Sequence, residues 1–171
     1  MSETQGESGL RYETVTSADQ RLGIIDVRYR VFVEEQGVPL VLEIDARDFL
    51  DSTVHVVAVV PASDAKTAEA VGAARLLRDA DSTFHVGRVA LVPRWRGHGG
   101  GRALMVFLTT IARASVPSGE EMTVVLDAQE SAIGFYRSLG YELTARERFL
   151  DAGIWHREMA LETQGTGPTI T

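Results

Sequence analysis

Val86-Gly87-Arg88-Val89-Ala90-Leu91-Val92-Pro93-Arg94-Trp95-Arg96-Gly97-His98-Gly99-Gly100-Gly101-Arg102-Ala103-Leu104-Met105-Val106-Phe107-Leu108 reads as a strand, a glycine-rich arginine loop and a helix. Val86, Val89, Leu91 and Val92 are β-branched or aliphatic and suit a sheet. Pro93 ends the strand, because proline cannot donate to a ladder. Leu104, Phe107, Leu108 and Ile111 recur at i, i+3, i+4 and i+7, the apolar stripe of a helix. Between strand and helix, Gly97, Gly99, Gly100 and Gly101 leave the backbone bare. A bare loop at a helix N-terminus offers unpaired N–H groups and the positive end of the helix dipole, which is an anion site. Arg94, Arg96 and Arg102 flank it, so the expected ligand carries phosphate.

Working outward, 171 residues suit one domain with a proper core. The expected layout is a disordered polar tail over 1–10, a single domain over 11–161 and a flexible tail over 162–171. The absence of cysteine excludes disulfides, zinc thiolate sites and cysteine nucleophiles, and no metal is expected. The first residues have no apolar core of a signal peptide, and no apolar run is long enough to span a bilayer. A cytoplasmic protein without membrane partners is the expectation. The net charge of −7 argues against nucleic-acid binding. That charge is segregated. Ser82 to Gly119 holds Arg88, Arg94, Arg96, Arg102 and Arg113 and no acid. Glu34 to Asp51 holds Glu34, Glu35, Glu43, Asp45, Asp48 and Asp51 against Arg47 alone. The first segment suits an anion, the second a cation.

Tyr12 to Thr16 suggests a first strand. Ser17 and Gln20 fit a capping box, opening a helix whose stripe is Leu22, Ile25, Tyr29 and Phe32 and which ends near Gly37-Val38-Pro39. The acidic stretch reads as loop with a helical turn. Thr53 to Val60 is apolar on both faces, hence a central strand. Pro61 to Lys66 is a surface connection, and Ala70 to Leu77 is the next strand. Short links make these strands and the one opening the key stretch an antiparallel meander. After the glycine-loop helix, Met122 to Ala128 is a strand whose crossover favours parallel pairing. Ser131 to Leu139 is a short helix closed by Gly140 as a left-handed cap. Tyr141 to Phe149 and Ile154 to Leu161 form a final hairpin.

Two phosphate templates fail. A P-loop needs Lys-Ser or Lys-Thr after its last glycine, but Arg102-Ala103 stands there. A dinucleotide fingerprint needs a third glycine where Arg102 stands. The pattern Arg/Gln-x-x-Gly-x-Gly/Ala is met by Arg96, Gly99 and Gly101. This resembles the pyrophosphate motif of the GNAT superfamily of coenzyme A-dependent N-acyltransferases. Ala132 to Tyr141 (A-I-G-F-Y-R-S-L-G-Y) resembles that superfamily's later signature. V-F-V-E-E-Q-G-V-P (Val31 to Pro39), E-I-D (Glu43 to Asp45) and D-A-G-I-W-H-R-E-M (Asp151 to Met159) resemble its ElaA/YjcF-like branch. The resemblance covers about Arg11 to Leu161. It implies an α+β (mixed α/β) fold with a mostly antiparallel central sheet and helices on both faces. The family's fourth strand, third helix and fifth strand make its parallel crossover.

It also implies roles. The coenzyme A site would take in Arg94, Arg96, Gly97, His98, Gly99, Gly100, Gly101 and Arg102, with N–H groups from Arg96 to Gly101 on the pyrophosphate. Ala90, Leu91 and Val92 would offer backbone groups to the pantetheine arm. Gln129 stands where many relatives carry an asparagine that contacts the arm, and Ala132 and Phe135 accompany Tyr136 on one helical stripe. Tyr136 would protonate the departing thiolate. The strand Phe84 to Arg88 lacks the glutamate that relatives often keep there. The candidates for the proton acceptor are therefore His85, Glu34, Glu35, Glu43 and His156. The acidic stretch would suit a cationic amine.

The leading reading is direct acetyl transfer from acetyl-CoA to a primary amine of a small molecule or peptide, since no cysteine can carry an acyl-enzyme. The alternative is a non-catalytic acyl-CoA-binding or regulatory module on the same fold. A third, nucleotide binding, conflicts with the missing Lys-Ser/Thr. Homodimers are frequent in the superfamily, so a second copy is a candidate partner.

Overall fold

The computed structural model describes residues 4–5, 9–62 and 68–168; most of the Pro61–Lys66 connection lies outside them. Along the chain run β1 (Thr4–Gln5), β2 (Arg11–Thr14), α1 (Ala18–Arg28), α2 (Leu40–Glu43), β3 (Val54–Val60), β4 (Glu69–Ala80), β5 (Thr83–Leu91), α3 (Gly100–Ala114), β6 (Glu121–Gln129), α4 (Ile133–Arg137), β7 (Glu142–Leu143), β8 (Phe149–Asp151) and β9 (Ile154–Gln164). The strands hydrogen-bond in the order β1-β2-β3-β4-β5-β6-β9-β7, with β8 on β9. This is the expected α+β sheet: β5 and β6 are parallel and joined through α3, while β1–β2, β2–β3 and the partners of β9 are antiparallel. Two compact units are present: Met1–Arg75 with Arg88–Leu108, and Leu76–Gly87 with Thr109–Thr171. β4, β5 and α3 pass from one into the other, so the division of the expected single domain involves no linker.

In the unit of Leu76–Gly87 and Thr109–Thr171, β6 alternates as expected: Met122, Val124, Leu126 and Ala128 are buried. The C-terminal tail corrects the reading of its sequence. β9 continues to Gln164, and the next residues bond to the segment after α3. Gly165 N–H donates to Glu120 O, Thr166 N–H to Arg113 O and Gly167 N–H to Val116 O. A Cβ on Gly165 or Gly167 would stand about 2.5 Å or less from backbone carbonyl oxygens, so the two glycines permit an approach that any side chain forbids. The expected strand Tyr141 to Phe149 is also interrupted: β7 stops at Leu143 and β8 starts at Phe149. The hairpin that follows turns through Ala152 (φ +49°) and Gly153 (φ +80°), both left-handed as a two-residue type I′ turn requires.

In the unit of Met1–Arg75 and Arg88–Leu108, the described part of the expected tail takes part in the fold: Thr4–Gln5 pair with Tyr12 and Arg11, and Leu10 is fully buried. The capping box of Ser17 and Gln20 opens α1. The expected stripe does not face inward. Leu22, Ile25 and Tyr29 are exposed, whereas Ile24, Val27, Arg28 and Val31 are buried. The buried stripe contains a charge, which an apolar count passes over. From Tyr29 to Glu35 the helix widens to π geometry, with Gln36 N–H reaching Val31 O.

Arg28 can be buried because it is satisfied. Its Nε donates to Glu43 Oε1 (2.5 Å), its Nη1 to Asp48 Oδ1 (2.9 Å) and its Nη2 to Asp48 Oδ2 and the Glu43 carbonyl (2.9 Å each). Arg75, 2% exposed, donates to Asp45 and Asp48 at 2.9 Å each. His55 Nε2 lies 2.9 Å from Asp48 O. Burial by itself would raise the Asp48 carboxyl, but hydrogen bonds and charge from Arg28, the Asp45 N–H and the Arg75 charge outweigh it. They hold Asp48 well below the usual carboxylate range.

Asp48→Ala leaves two buried guanidinium groups short of a partner, and the expected loss of unfolding free energy in urea titrations is about 3–5 kcal/mol. The acid limb has a definite sign. A lowered native pKa gives stability that is fully present above the unfolded carboxylate value, near ~3.9, and is lost as pH falls through that region. The wild-type melting temperature should begin to drop below about pH 5 and keep falling below the unfolded value toward the lower folded one, and Asp48→Asn should flatten that drop.

Candidate active site

β5 carries the first part of the site. Its parallel register with β6 runs from Thr83 opposite Thr123 to Val86 opposite Leu126. Two residues on, Arg88 takes φ +54°, a conformation that costs a side-chain-bearing residue strain and persists only where surroundings enforce it. Here the side chain is tethered: Nε donates to Glu43 O (2.9 Å), Nη2 to Leu42 O and Asp45 Oδ2 (3.2 Å each). The kink re-aims the end of β5, where Ala90, Leu91 and Val92 are buried. Two backbone groups expected to be open there are occupied. Leu91 O accepts from Arg96 Nε at 2.7 Å, and Val92 N–H donates to Val71 O at 2.9 Å.

A 3-10 turn, Pro93–Trp95, leads into the glycine loop. Gly97 and Gly99 both sit at φ +79°, and nothing lies within 4 Å of where their Cβ atoms would be. The loop therefore needs glycine for its backbone angles and has open space on its outer side. Gly100 begins α3; Tyr12 Oη donates to its carbonyl at 3.1 Å. Ala103 N–H bonds Gly99 O at 3.0 Å, so the N–H groups of the first turn precede the helix's own ladder. Trp95 Nε1 is a buried donor without a partner. Loop, helix end and orphaned donor suit an anionic, acceptor-rich ligand. His98 is exposed.

The arginines correct the charge reading. Three arginines of the basic segment, Arg88, Arg94 and Arg96, meet acids of the chain itself. Arg96 Nη1 and Nη2 grip the Glu35 carboxylate at 2.7 and 2.8 Å, Arg94 pairs with Glu69, and Arg88 takes Asp45 and Glu43. The hydrogen bond from Arg96 lowers the Glu35 pKa. Glu43, a candidate proton acceptor, lies buried against Arg28; Glu34 is exposed where the π segment ends. The acidic stretch thus serves the chain's own arginines.

The other unit holds Gln129, Ala132, Phe135, Tyr136 and His85. α4 ends as its sequence suggests. Tyr141 N–H bonds Tyr136 O (3.2 Å) and Gly140 N–H bonds Arg137 O (3.0 Å), with Gly140 at φ +93°, a Schellman cap. Tyr136 is buried between Phe135 and Tyr141, with ring centroids at 5.0 and 6.0 Å. Burial, then the nearby Tyr141, push its phenol far above the usual value, so it keeps its proton at neutral pH. Burial raises Tyr141 to about 12 as well.

His85 stands in a polar row on one sheet face. Its Nδ1 is 3.6 Å from Asp79 Oδ2 and its Nε2 3.6 Å from Asp127 Oδ2. Asp127 lies opposite Glu158 across β6 and β9, and Arg146 Nη1 bridges them at 3.5 and 3.1 Å. Thr144 Oγ1 donates to Glu158 Oε1 at 2.8 Å, the main reason the Glu158 pKa is lowered. Asp127 is an acid inside an alternating apolar strand, a signal that the sequence carries by itself. His156 is engaged: Nδ1 lies 2.9 Å from Ile154 O, and the ring stacks on Phe149. Among the described residues, no group of three or more His, Asp or Glu side chains is placed to hold a metal ion, and no helix is long and apolar enough to cross a membrane.

Residues 50–163 match the family model described as Acetyltransferase (GNAT) domain. The N-acetyltransferase YjcF of Bacillus subtilis, itself uncharacterized, is 35% identical over 133 residues, 78% of this chain and 86% of that protein. The crystal structure of Escherichia coli ElaA superposes with a TM-score of 0.74 at 26% identity, covering 89% of this chain and 99% of that one. An acyl-CoA N-acyltransferase from Pseudomonas aeruginosa gives 0.73 at 25% identity, with the same coverage.

The loop geometry predicts an order of stabilities. Gly97→Ala places an alanine at a left-handed angle and should cost about 1–2 kcal/mol in urea unfolding, while Gly97→Asn should cost less, because asparagine tolerates that region.

Proposed function

Since this chain belongs to the GNAT acetyltransferase family, we propose that it moves an acetyl group from acetyl-CoA directly to a primary amine of a small molecule or peptide. The observation that carries this reading is the loop from Arg96 to Gly101, with two glycines at φ +79°, open space beside them and a 15-residue helix behind. Its N–H groups take the coenzyme A pyrophosphate. Backbone N–H donors to a charged oxygen are each worth about 1.5–3 kcal/mol, so several of them can stand in for a metal ion.

The Arg96 side chain acts as a strut, tying Leu91 O to Glu35. The backbone at Ala90 and the Leu91 N–H serve the pantetheine arm, because Leu91 O and Val92 N–H are already taken. Gln129 contributes its amide to the arm, beside Ala132 and Phe135. Coenzyme A supplies the acyl group as a thioester. Tyr136, whose burial keeps it protonated, delivers a proton to the leaving sulfur. His85 takes a proton from the amine. It suits this better than Glu43, which is committed to Arg28, or Glu34, which is solvent-exposed.

The test is thiol release from acetyl-CoA with a panel of small amines and peptide N-termini. Tyr136→Phe should lower turnover by about 100-fold while the dissociation constant for coenzyme A stays within about twofold. Replacing Gly99 and Gly101 with valine should weaken coenzyme A binding by about tenfold or more. Tight binding of acetyl-CoA with no thiol released for any amine would favour the non-catalytic binding module.

A further inference from the structure

We propose that Asp127, with Asp79 as a second support, is a positioning residue for His85, so that carboxylate and imidazole act together as the proton acceptor of the transfer. The proposal rests on the transferase reading above. Three of the four histidines are accounted for otherwise: His55 meets the Asp48 carbonyl in the buried cluster, His98 is exposed on the glycine loop, and His156 is bonded and stacked in the hairpin. His85 has a carboxylate oxygen 3.6 Å from each ring nitrogen. That distance exceeds a direct hydrogen bond, so the ring is not already consumed as a structural donor. Once it accepts a proton, both nitrogens carry N–H groups and each faces a carboxylate.

Asp127 is held for this task. Its Oδ1 faces Arg146 Nη1, and Arg146 is itself held by Glu158 at 3.1 Å and lies over the Phe149 ring. Its Oδ2 is left to His85. The side chain is one-third exposed, compared with nearly half for Asp79, so Asp127 is the firmer support. The charged groups around His85 are therefore Asp79 from β4, Asp127 from β6, Glu158 from β9 and Arg146 from the segment between β7 and β8.

The proton balance explains the need. An alkylammonium carries two more protons than the amide nitrogen it becomes. One goes to His85 and on to solvent, freeing the lone pair that forms the N–C bond. As the C–S bond breaks, Tyr136 gives its proton to sulfur, and the second nitrogen proton passes through solvent to restore the Tyr136 phenol. An aniline or hydroxylamine is already neutral near pH 7 and needs no first transfer.

The experiment compares kcat/KM for alkylamines (benzylamine, spermidine) with that for aniline and hydroxylamine at pH 7, in wild type, His85→Gln, Asp127→Asn, Asp79→Asn and the His85→Gln/Asp127→Asn double variant. Asp127→Asn and His85→Gln should each lower the alkylamine-to-aniline ratio by about tenfold or more. Asp79→Asn should lower it less, and the double variant should be no worse than His85→Gln alone, as expected for groups that act as one unit. A ratio unchanged in Asp127→Asn overturns the proposal, as does an equal fall with both nucleophile classes, which marks a structural role. Should Asp127→Asn leave neither rate measurable, so that no ratio can be read, Asp127→Glu decides: failure to recover the alkylamine rate also overturns it. Wild-type protein that releases no thiol with either class refutes the transferase reading itself, and this proposal with it.

Discussion

Three arginines, Arg28, Arg75 and Arg88, converge on Glu43, Asp45 and Asp48 in one cluster. Burying a single guanidinium is costly, and removing one partner from such a pair costs more than the pair contributes, because the other charge is left unsatisfied. The cluster is therefore all-or-none in character. It sets which face of α1 turns inward, folds the acidic stretch back on the arginines, and tethers Arg88 in a left-handed conformation. That kink in turn directs the last residues of β5 toward the glycine loop. Opposite charges far apart in the chain thus do structural work at the point where the strand must bend.

The same pairing changes which groups the glycine loop presents. Arg94 and Arg96 flank the loop, but Glu69 and Glu35 already neutralise them. What faces outward is backbone: glycines at left-handed angles and the first turn of α3. Partial charges on fixed N–H groups need no side-chain ordering and suit a diphosphate by shape as well as by sign. Glu35 adds a mechanical link, because the π-helical segment that ends in it grips the arginine whose Nε holds the Leu91 carbonyl.

In the other unit, burial and polarity are divided between two groups suited to opposite proton transfers. Tyr136 sits among aromatic rings, where loss of its proton is strongly disfavoured. His85 sits among carboxylates that face both of its nitrogens. The two side chains are thereby set apart by environment as well as by residue type.

Short-range chemistry is legible in the chain alone: the strand–loop–helix around Gly97 to Gly101, the Ser17 capping box, the Gly140 cap and the alternation of β6. Each depends on residues within about one helical turn or one strand, where backbone angles and periodicity leave few options. Tertiary structure alone decided what depends on partners remote in the chain. Leu22, Ile25 and Tyr29 look like a core stripe until Arg28 finds Glu43 and Asp48. Residues after Glu162 look like a loose tail until Gly165 and Gly167 bring their backbone against the end of α3. Arg88, Arg94 and Arg96 look free for a ligand until they meet acids some 25 to 60 residues away. Asp127 looks like an odd residue in an apolar strand until parallel pairing sets it beside His85. Pairing of charges and close approach of backbones are long-range events, and local pattern carries no record of them.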